Sequence, residues 1–329
     1  MKVTKDMIHK DIRMEFTLLR GMPVVFSNKW LLKAFDGLSR FIQVGSNIKS
    51  LDCEETTIPG RQGQQGIRVR IYRPKNHKGK LPAMLYLHGG GYILGSPENA
   101  HAAIEKFIHK RPCVIIAPDY RKATSEPYPA ALNDCYDTLV WAKEHASDLN
   151  ILDKRFMVAG HSAGGGLTAA VTLLNRDRKE VDIAFQMPFY PMIDDTQPDD
   201  PQRYMITSVW DSRSNKAGWD AYLSDLKKKN RDIPAYAAPA RNKDYSHFPP
   251  TITFVGDKEP FYWETVDYAK ALEAAGIPVR FKIYEGCFHG FDMVNERKPI
   301  AKDAQDFTYN HYAEFYDKYV VACEADYVE

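Results

Sequence analysis

No stretch of this chain approaches the eighteen or more consecutive apolar residues that a membrane-crossing helix requires. Its start, Met1-Lys2-Val3-Thr4-Lys5-Asp6, lacks the apolar core of a secretory signal. A cytoplasmic address with no membrane partner is the expectation. Cysteine is scarce: Cys53, Cys113, Cys135, Cys287 and Cys323 are odd in number, far apart and form no CxxC pair. That argues against a disulfide framework or a zinc site, and reduced thiols with no metal are expected. Neither sign of charge dominates, since 44 Lys and Arg nearly cancel 43 Asp and Glu. The balance is too even for affinity built on phosphate neutralisation, so nucleic acid is not an expected partner. Repeats and low-complexity tracts are also missing. What is present, 329 residues at 44% apolar, is enough for one large domain with a substantial core.

The apolar residues are grouped in a telling way. Ala83 to Leu87, Cys113 to Ala117, Phe156 to Ala159 and Ile252 to Val255 are short uninterrupted runs, as expected of strands buried on both faces of a parallel sheet. Gly66 to Tyr72 alternates like a half-exposed strand, and Val181 to Phe189 and Val279 to Tyr284 add two more. Helical stretches fall between them (Ala102 to Lys110, Ala130 to Ala146, Ala163 to Asn175, Thr265 to Ala275), and strand then helix repeated is the mark of a doubly wound α/β sheet.

Two segments break the rhythm. From Asp11 to Gly45, Phe16, Leu18, Leu19, Val24, Phe26, Trp30, Leu31, Phe35, Leu38 and Phe41 recur at roughly helical spacing. They read as two amphipathic helices packed on the core or forming a flap over an apolar pocket, with membrane docking the remotest alternative. The second segment, 194–246, is too long for a slack connection and reads as a helical insertion. Its run Lys227-Lys228-Lys229 is expected to be solvated surface. The organisation expected is N-terminal lid helices over 1–50, a catalytic domain from 51–193 and 247–329, and a lid insertion over 194–246. Trp30, Phe35, Trp210 and Trp219 in these segments are expected to cap a short pocket.

Gly160-His161-Ser162-Ala163-Gly164 follows one predicted strand and opens a predicted helix, the context of a nucleophile elbow. Upstream, His88-Gly89-Gly90-Gly91-Tyr92 closes another strand. Three glycines in a row let backbone N–H groups converge on a developing negative charge. Neither cluster is a dinucleotide fingerprint, because Leu94 stands where the last Gly of GxGxxG belongs. Downstream, His289 lies in Gly286-Cys287-Phe288-His289-Gly290-Phe291. A carboxylate is needed to orient it, and Asp257 and Glu259 after one strand, or Asp194 and Asp195 after the one before, are the candidates.

Four ordered blocks make the chain resemble the hormone-sensitive-lipase-like branch of the α/β-hydrolase esterases from about Gly66 to Phe291. They are His88-Gly89-Gly90-Gly91; Asp119-Tyr120-Arg121 with Pro127-Tyr128-Pro129-Ala130-Ala131; Gly160-His161-Ser162-Ala163-Gly164-Gly165; and Glu259-Pro260 with His289-Gly290-Phe291. The resemblance implies an α/β-hydrolase fold, a mostly parallel eight-stranded sheet flanked by helices with a helical lid. It implies Ser162 as nucleophile, His289 as base and an oxyanion hole of Gly90, Gly91 and Ala163 N–H groups. Tyr92, His161 and Trp210 are expected to contact substrate. The implied activity is a serine carboxylesterase acting on short acyl esters, with a small-molecule ester as partner, no cofactor, and a homodimer as the assembly to look for. A deacetylase of acetylated sugars, a peptidase on the same triad, or a ligand-binding relative without catalysis are the alternatives.

The chain departs from the family pattern at three places. The acid before proline is Glu259 rather than Asp, which keeps Asp257 in contention, although Pro260 biases its predecessor to an extended conformation suited to reaching the histidine loop. His161 stands where the family commonly has Asp, and Lys122-Ala123-Thr124-Ser125 replaces a Leu-Ala-Pro-Glu loop.

Overall fold

A computed structural model describes residues 1–61 and 66–322. Eight strands form one sheet: β1 Leu51–Ile58, β2 Ile67–Pro74, β3 Ala83–Leu87, β4 Val114–Pro118, β5 Phe156–His161, β6 Ile183–Phe189, β7 Thr251–Gly256 and β8 Val279–Tyr284. Their spatial order is β1-β2-β4-β3-β5-β6-β7-β8. β2 is antiparallel to both β1 and β4, and the remaining neighbours are parallel. The helices are α1 Arg13–Leu18, α2 Met22–Ser27, α3 Lys29–Gln43, α4 His101–Lys110, α5 Ala130–Glu144, α6 Ala163–Arg178, α7 Ser212–Tyr222, α8 Ser224–Lys228, α9 Tyr262–Ala274, α10 Phe291–Val294 and α11 Pro299–Tyr316.

The uninterrupted apolar runs are explained by a core on each face of the sheet. In β3, Ala83, Leu85 and Leu87 pack with Leu139 of α5 and Leu167 of α6, while Met84 and Tyr86 face Phe107 of α4 and Tyr312 of α11. A strand covered on both sides has no polar face to alternate with. β2 is more buried than its alternating pattern indicates. Arg70 is 3% exposed; its guanidinium donates to the Ser46 carbonyl and Asn47 Oδ1 and pairs with Glu55 of β1 at 3.3 Å, so a cation held by neighbouring acceptors occupies what the pattern marks as a solvent position.

Parallel strands put the loops after β3, β5, β7 and β8 on one carboxyl edge, where open α/β sheets hold their ligands. Above that edge, the N-terminal helices and the segment between β6 and β7 form one joined cap. Val3 N–H donates to the Ile206 carbonyl at 2.9 Å, Ser208 Oγ to the Phe16 carbonyl at 2.5 Å, and Ser214 Oγ to the Pro23 carbonyl at 3.2 Å. The N-terminal part holds three α-helices rather than two, because the chain breaks after Leu18 and again at Asn28, whose side chain accepts from Trp30 and Leu31 N–H to cap α3. Lys227, Lys228 and Lys229 are solvated, with Lys227 on Asp220 and Lys229 on Asp225. Cys53, Cys113, Cys135 and Cys287 are free, and Cys323 lies outside the described residues. Among the described residues no helix is long and apolar enough to cross a membrane.

Candidate active site

Ser162 stands alone between β5 and α6 with φ 59° and ψ −122°, a conformation that costs a non-glycine residue on the order of 1–3 kcal/mol and persists only when its surroundings impose it. Here they do. Ser162 N–H donates to the Phe189 carbonyl and its own carbonyl accepts from Met192, both at 3.0 Å, which bolts the turn to the end of β6. The flanking glycines are required by close approach. A Cβ on Gly160 would lie 2.4 Å from the Gly164 carbonyl oxygen, and one on Gly164 would lie 2.0 Å from that of Leu87.

The loop after β3 turns through Gly90 and Gly91, at φ 125° and 58°. A Cβ on Gly91 would come 2.0 Å from the Trp210 ring, so the cap rests directly on this backbone. Gly90 accepts from Ile93 and Leu94 N–H, whereas the N–H groups of Gly90 and Gly91 have no protein acceptor among the described residues. Ala163 is the first residue of α6, where an N–H has no partner within the helix and the helix dipole is positive. His88 braces the loop. Its ring stacks on Tyr120 at 4.2 Å, Nδ1 is 2.7 Å from the Gly89 carbonyl, and burial pushes its pKa down to about 3.

The histidine loop after β8 lies against the loop after β7, because those strands are parallel neighbours and Lys258 N–H donates to the Cys287 carbonyl at 3.0 Å. His289 Nε2 is 2.9 Å from Ser162 Oγ, and Nδ1 is 2.5 Å from Glu259 Oε2. Glu259 is 0% exposed and its other oxygen accepts from Gly256 N–H at 3.1 Å. With Nδ1–H donated to this carboxylate, Nε2 is left to accept the serine proton. Tyr190 and Phe261 stand edge-on to the imidazole at 5.0 Å each and pack against it. Asp257 is not in contact with His289. It accepts from Gly286 N–H at 2.6 Å and pairs with Lys258, holding the loop rather than the ring. Asp194 and Asp195 are engaged by Arg203 and Arg241.

Ser162, His289 and Gly89 to Gly91 open onto a cavity of about 320 Å³. Its apolar wall is Phe26, Leu94, Val209, Trp210, Met293 and Val294, and its polar floor includes Tyr86, His161 and Tyr190. His161 lines it, with Nδ1 2.5 Å from the Tyr86 hydroxyl and a pKa lowered to about 3 by burial, so it contributes a neutral ring. Trp210 also lines it. Tyr92 does not. Its ring stacks on Tyr222 at 4.2 Å and its hydroxyl donates to the Met192 carbonyl at 2.6 Å, so it fastens the cap to the sheet instead of meeting a substrate. Of the other aromatics expected to cap the pocket, Trp219 is buried against Tyr92, Trp30 is 83% exposed, and Phe35 stands behind the wall residue Phe26, 5.5 Å from it edge-on. Phe26 belongs to the N-terminal apolar pattern read from the sequence, whereas Val209, Met293 and Val294 are among the lining residues that no sequence pattern singled out.

Asp292, three residues after His289, is buried, and the Tyr190 hydroxyl donates to its Oδ2 at 3.5 Å while Oδ1 has no partner among the described residues. Burial above all, with the Glu259 charge adding to it, pushes its pKa up to about 7. The native state therefore holds this proton more tightly than the unfolded chain. Its stability contribution is complete below pH 4 and is lost as pH rises to 7, by up to about 4 kcal/mol for a shift from 3.8 to about 7. Urea unfolding of Asp292→Asn is expected to show a gain over the parent at pH 8 that shrinks towards pH 5. An equal difference at both pH values would refute this.

Residues 84–293 match the family described as alpha/beta hydrolase fold. Carboxylesterase NlhH of Mycobacterium tuberculosis is 30% identical over 260 residues, covering 78% of this chain and 81% of that protein. Esterase LipI of the same organism is 29% identical over 292 residues, 83% and 90% of the two chains. Among solved structures, a bacterial heroin esterase superposes with a TM-score of 0.87 at 26% identity, over 95% of this chain and 99% of the other. The chain belongs to the α/β-hydrolase family, in its hormone-sensitive-lipase-like branch. It is a carboxylic ester hydrolase.

Proposed function

We propose that the protein hydrolyses short-chain acyl esters through an acyl-enzyme on Ser162. The supporting observation is the unbroken chain Glu259–His289–Ser162 ending on the cavity. Ser162 Oγ attacks the ester carbonyl carbon as its proton passes to His289 Nε2. The carbonyl oxygen becomes an anion held by the Gly90, Gly91 and Ala163 N–H groups, each typically worth about 3 kcal/mol in the transition state. Collapse breaks the bond to the leaving oxygen, which takes the proton from His289 and departs as the alcohol. Water then attacks the acyl-enzyme, gives its proton to His289, and the carboxylic acid leaves as Ser162 regains its hydrogen. Glu259 holds the ring through Nδ1 and stabilises the imidazolium.

The bulk of Trp210 and Phe26 over the cavity supports the short acyl range. Each added methylene gains up to about 0.8 kcal/mol until the wall is reached, then clashes. In a series of activated esters, kcat/KM is expected to peak between acetyl and butanoyl and to collapse by decanoyl. A steady rise to emulsified long-chain triglycerides would contradict the proposal.

A further inference from the structure

The cap helix α3 is mounted with its polar side inward. Asp36 Oδ1 accepts from Gly95 N–H at 2.9 Å, and Arg40 donates to the Gly95 carbonyl at 2.9 Å and to both oxygens of Asp119 at 3.2 and 2.8 Å. Leu32 is the one buried residue of the helix. The apolar stripe faces out: Trp30 is 83% exposed, Leu38 62%, Phe41 88% and Ile42 67%, at the i, i+8, i+11 and i+12 spacing of a single helical face. Nothing among the described residues packs over them. Leu18 and Val24, on the neighbouring α1 and α2, are 73% and 49% exposed. The stripe runs into the site, because Phe35 stands edge-on at 5.5 Å to Phe26, which lines the cavity.

The charge around this face identifies its occupant. Residues 1–50 hold nine Lys and Arg against four Asp and Glu, in a chain otherwise slightly acidic. Three of those four acids are turned inward: Asp36 to Gly95, Asp11 to Ile300 N–H and Glu15 to Asn295. Of the nine bases Arg40 is also turned inward, while Arg20, Lys29 and Lys33 of the same segment are exposed. A second copy meeting this face through a two-fold axis would set these cations against each other. An anionic bilayer satisfies both features, taking Trp, Phe and Leu at the headgroup boundary and the lysines on its phosphates.

We propose that α3 lays its Trp30–Phe41 stripe on the surface of an anionic phospholipid bilayer, so that the cavity draws its esters from the lipid boundary. Hydropathy alone ranks this reading last for the segment, since spacing marks a stripe but does not say which side Asp36 and Arg40 will anchor.

The test uses the full chain with vesicles of phosphatidylcholine alone or with about 30 mol% phosphatidylglycerol. The parent is expected to sediment with the anionic vesicles, to shift its tryptophan emission to the blue as Trp30 enters the boundary, and to release in about 0.5 M NaCl. Leu38→Glu/Phe41→Glu keeps Trp30 and replaces two exposed side chains. It should bind at least tenfold more weakly yet hydrolyse a water-soluble acetate ester within about twofold of the parent. Lys29→Glu/Lys33→Glu should also bind at least tenfold more weakly. Failure of the parent to bind anionic vesicles overturns the proposal. If the parent then sediments as a dimer that the apolar double variant dissociates, the stripe is a self-association surface. If both are monomers, it docks nothing. Because the readout is binding, either failure leaves the esterase reading untouched.

Discussion

Replacing Ser162 with alanine is expected to lower turnover of a chromogenic acetate ester by about four to six powers of ten, with the fold intact. Serine is weakly nucleophilic unless a base takes its proton, and among the described residues the 2.9 Å contact with His289 Nε2 supplies one. Removing Oγ takes away the covalent path. What remains is water attack aided by the glycine-loop amides, a residual well above the uncatalysed rate but far below the parent. The main-chain bonds that hold the turn, to Phe189 and Met192, do not involve the side chain, so the melting temperature should move little. A variant within about tenfold of the parent would mean that another group is the nucleophile.

The second large effect separates two neighbouring acids. Glu259→Gln is expected to lose about two to four powers of ten in kcat, because a neutral amide can turn its NH₂ to the ring and stabilise the wrong tautomer, and it no longer stabilises the imidazolium. Glu259 is fully buried with both oxygens used, one by His289 and one by Gly256 N–H. Asp257→Asn should be far milder, since that carboxylate holds Gly286 N–H and Lys258 and lies off the proton path. The reverse ranking of the two variants would reassign the acid.

The site was largely legible because backbone geometry forces its residue types. Only glycine fits where a Cβ on residue 164 would strike the Leu87 carbonyl, so the elbow announces itself in sequence. Central strands were readable as apolar runs, but β1 was not. Leu51–Ile58 is a sheet edge buried mainly at its two ends, and Asp52, Glu54 and Glu55 hide it as surface loop. The cavity wall was the least legible part. Phe26 and Val209 reach it through cap packing, and Trp30 misses it because α3 is held by Arg40 and Asp36, contacts of long sequence separation that no local pattern encodes. Tyr92 follows the glycine loop in sequence, yet a φ of 64° turns its ring away under the cap.

The claim on which the rest depends is that one serine, activated by His289, carries the acyl group. Intact-mass and peptide analysis after treatment with a fluorophosphonate tests it most directly. The expected result is a single adduct on Ser162, formed in step with the loss of esterase activity and suppressed in His289→Ala. Adducts distributed over other serines, or full activity in protein stoichiometrically modified at Ser162, would contradict the account.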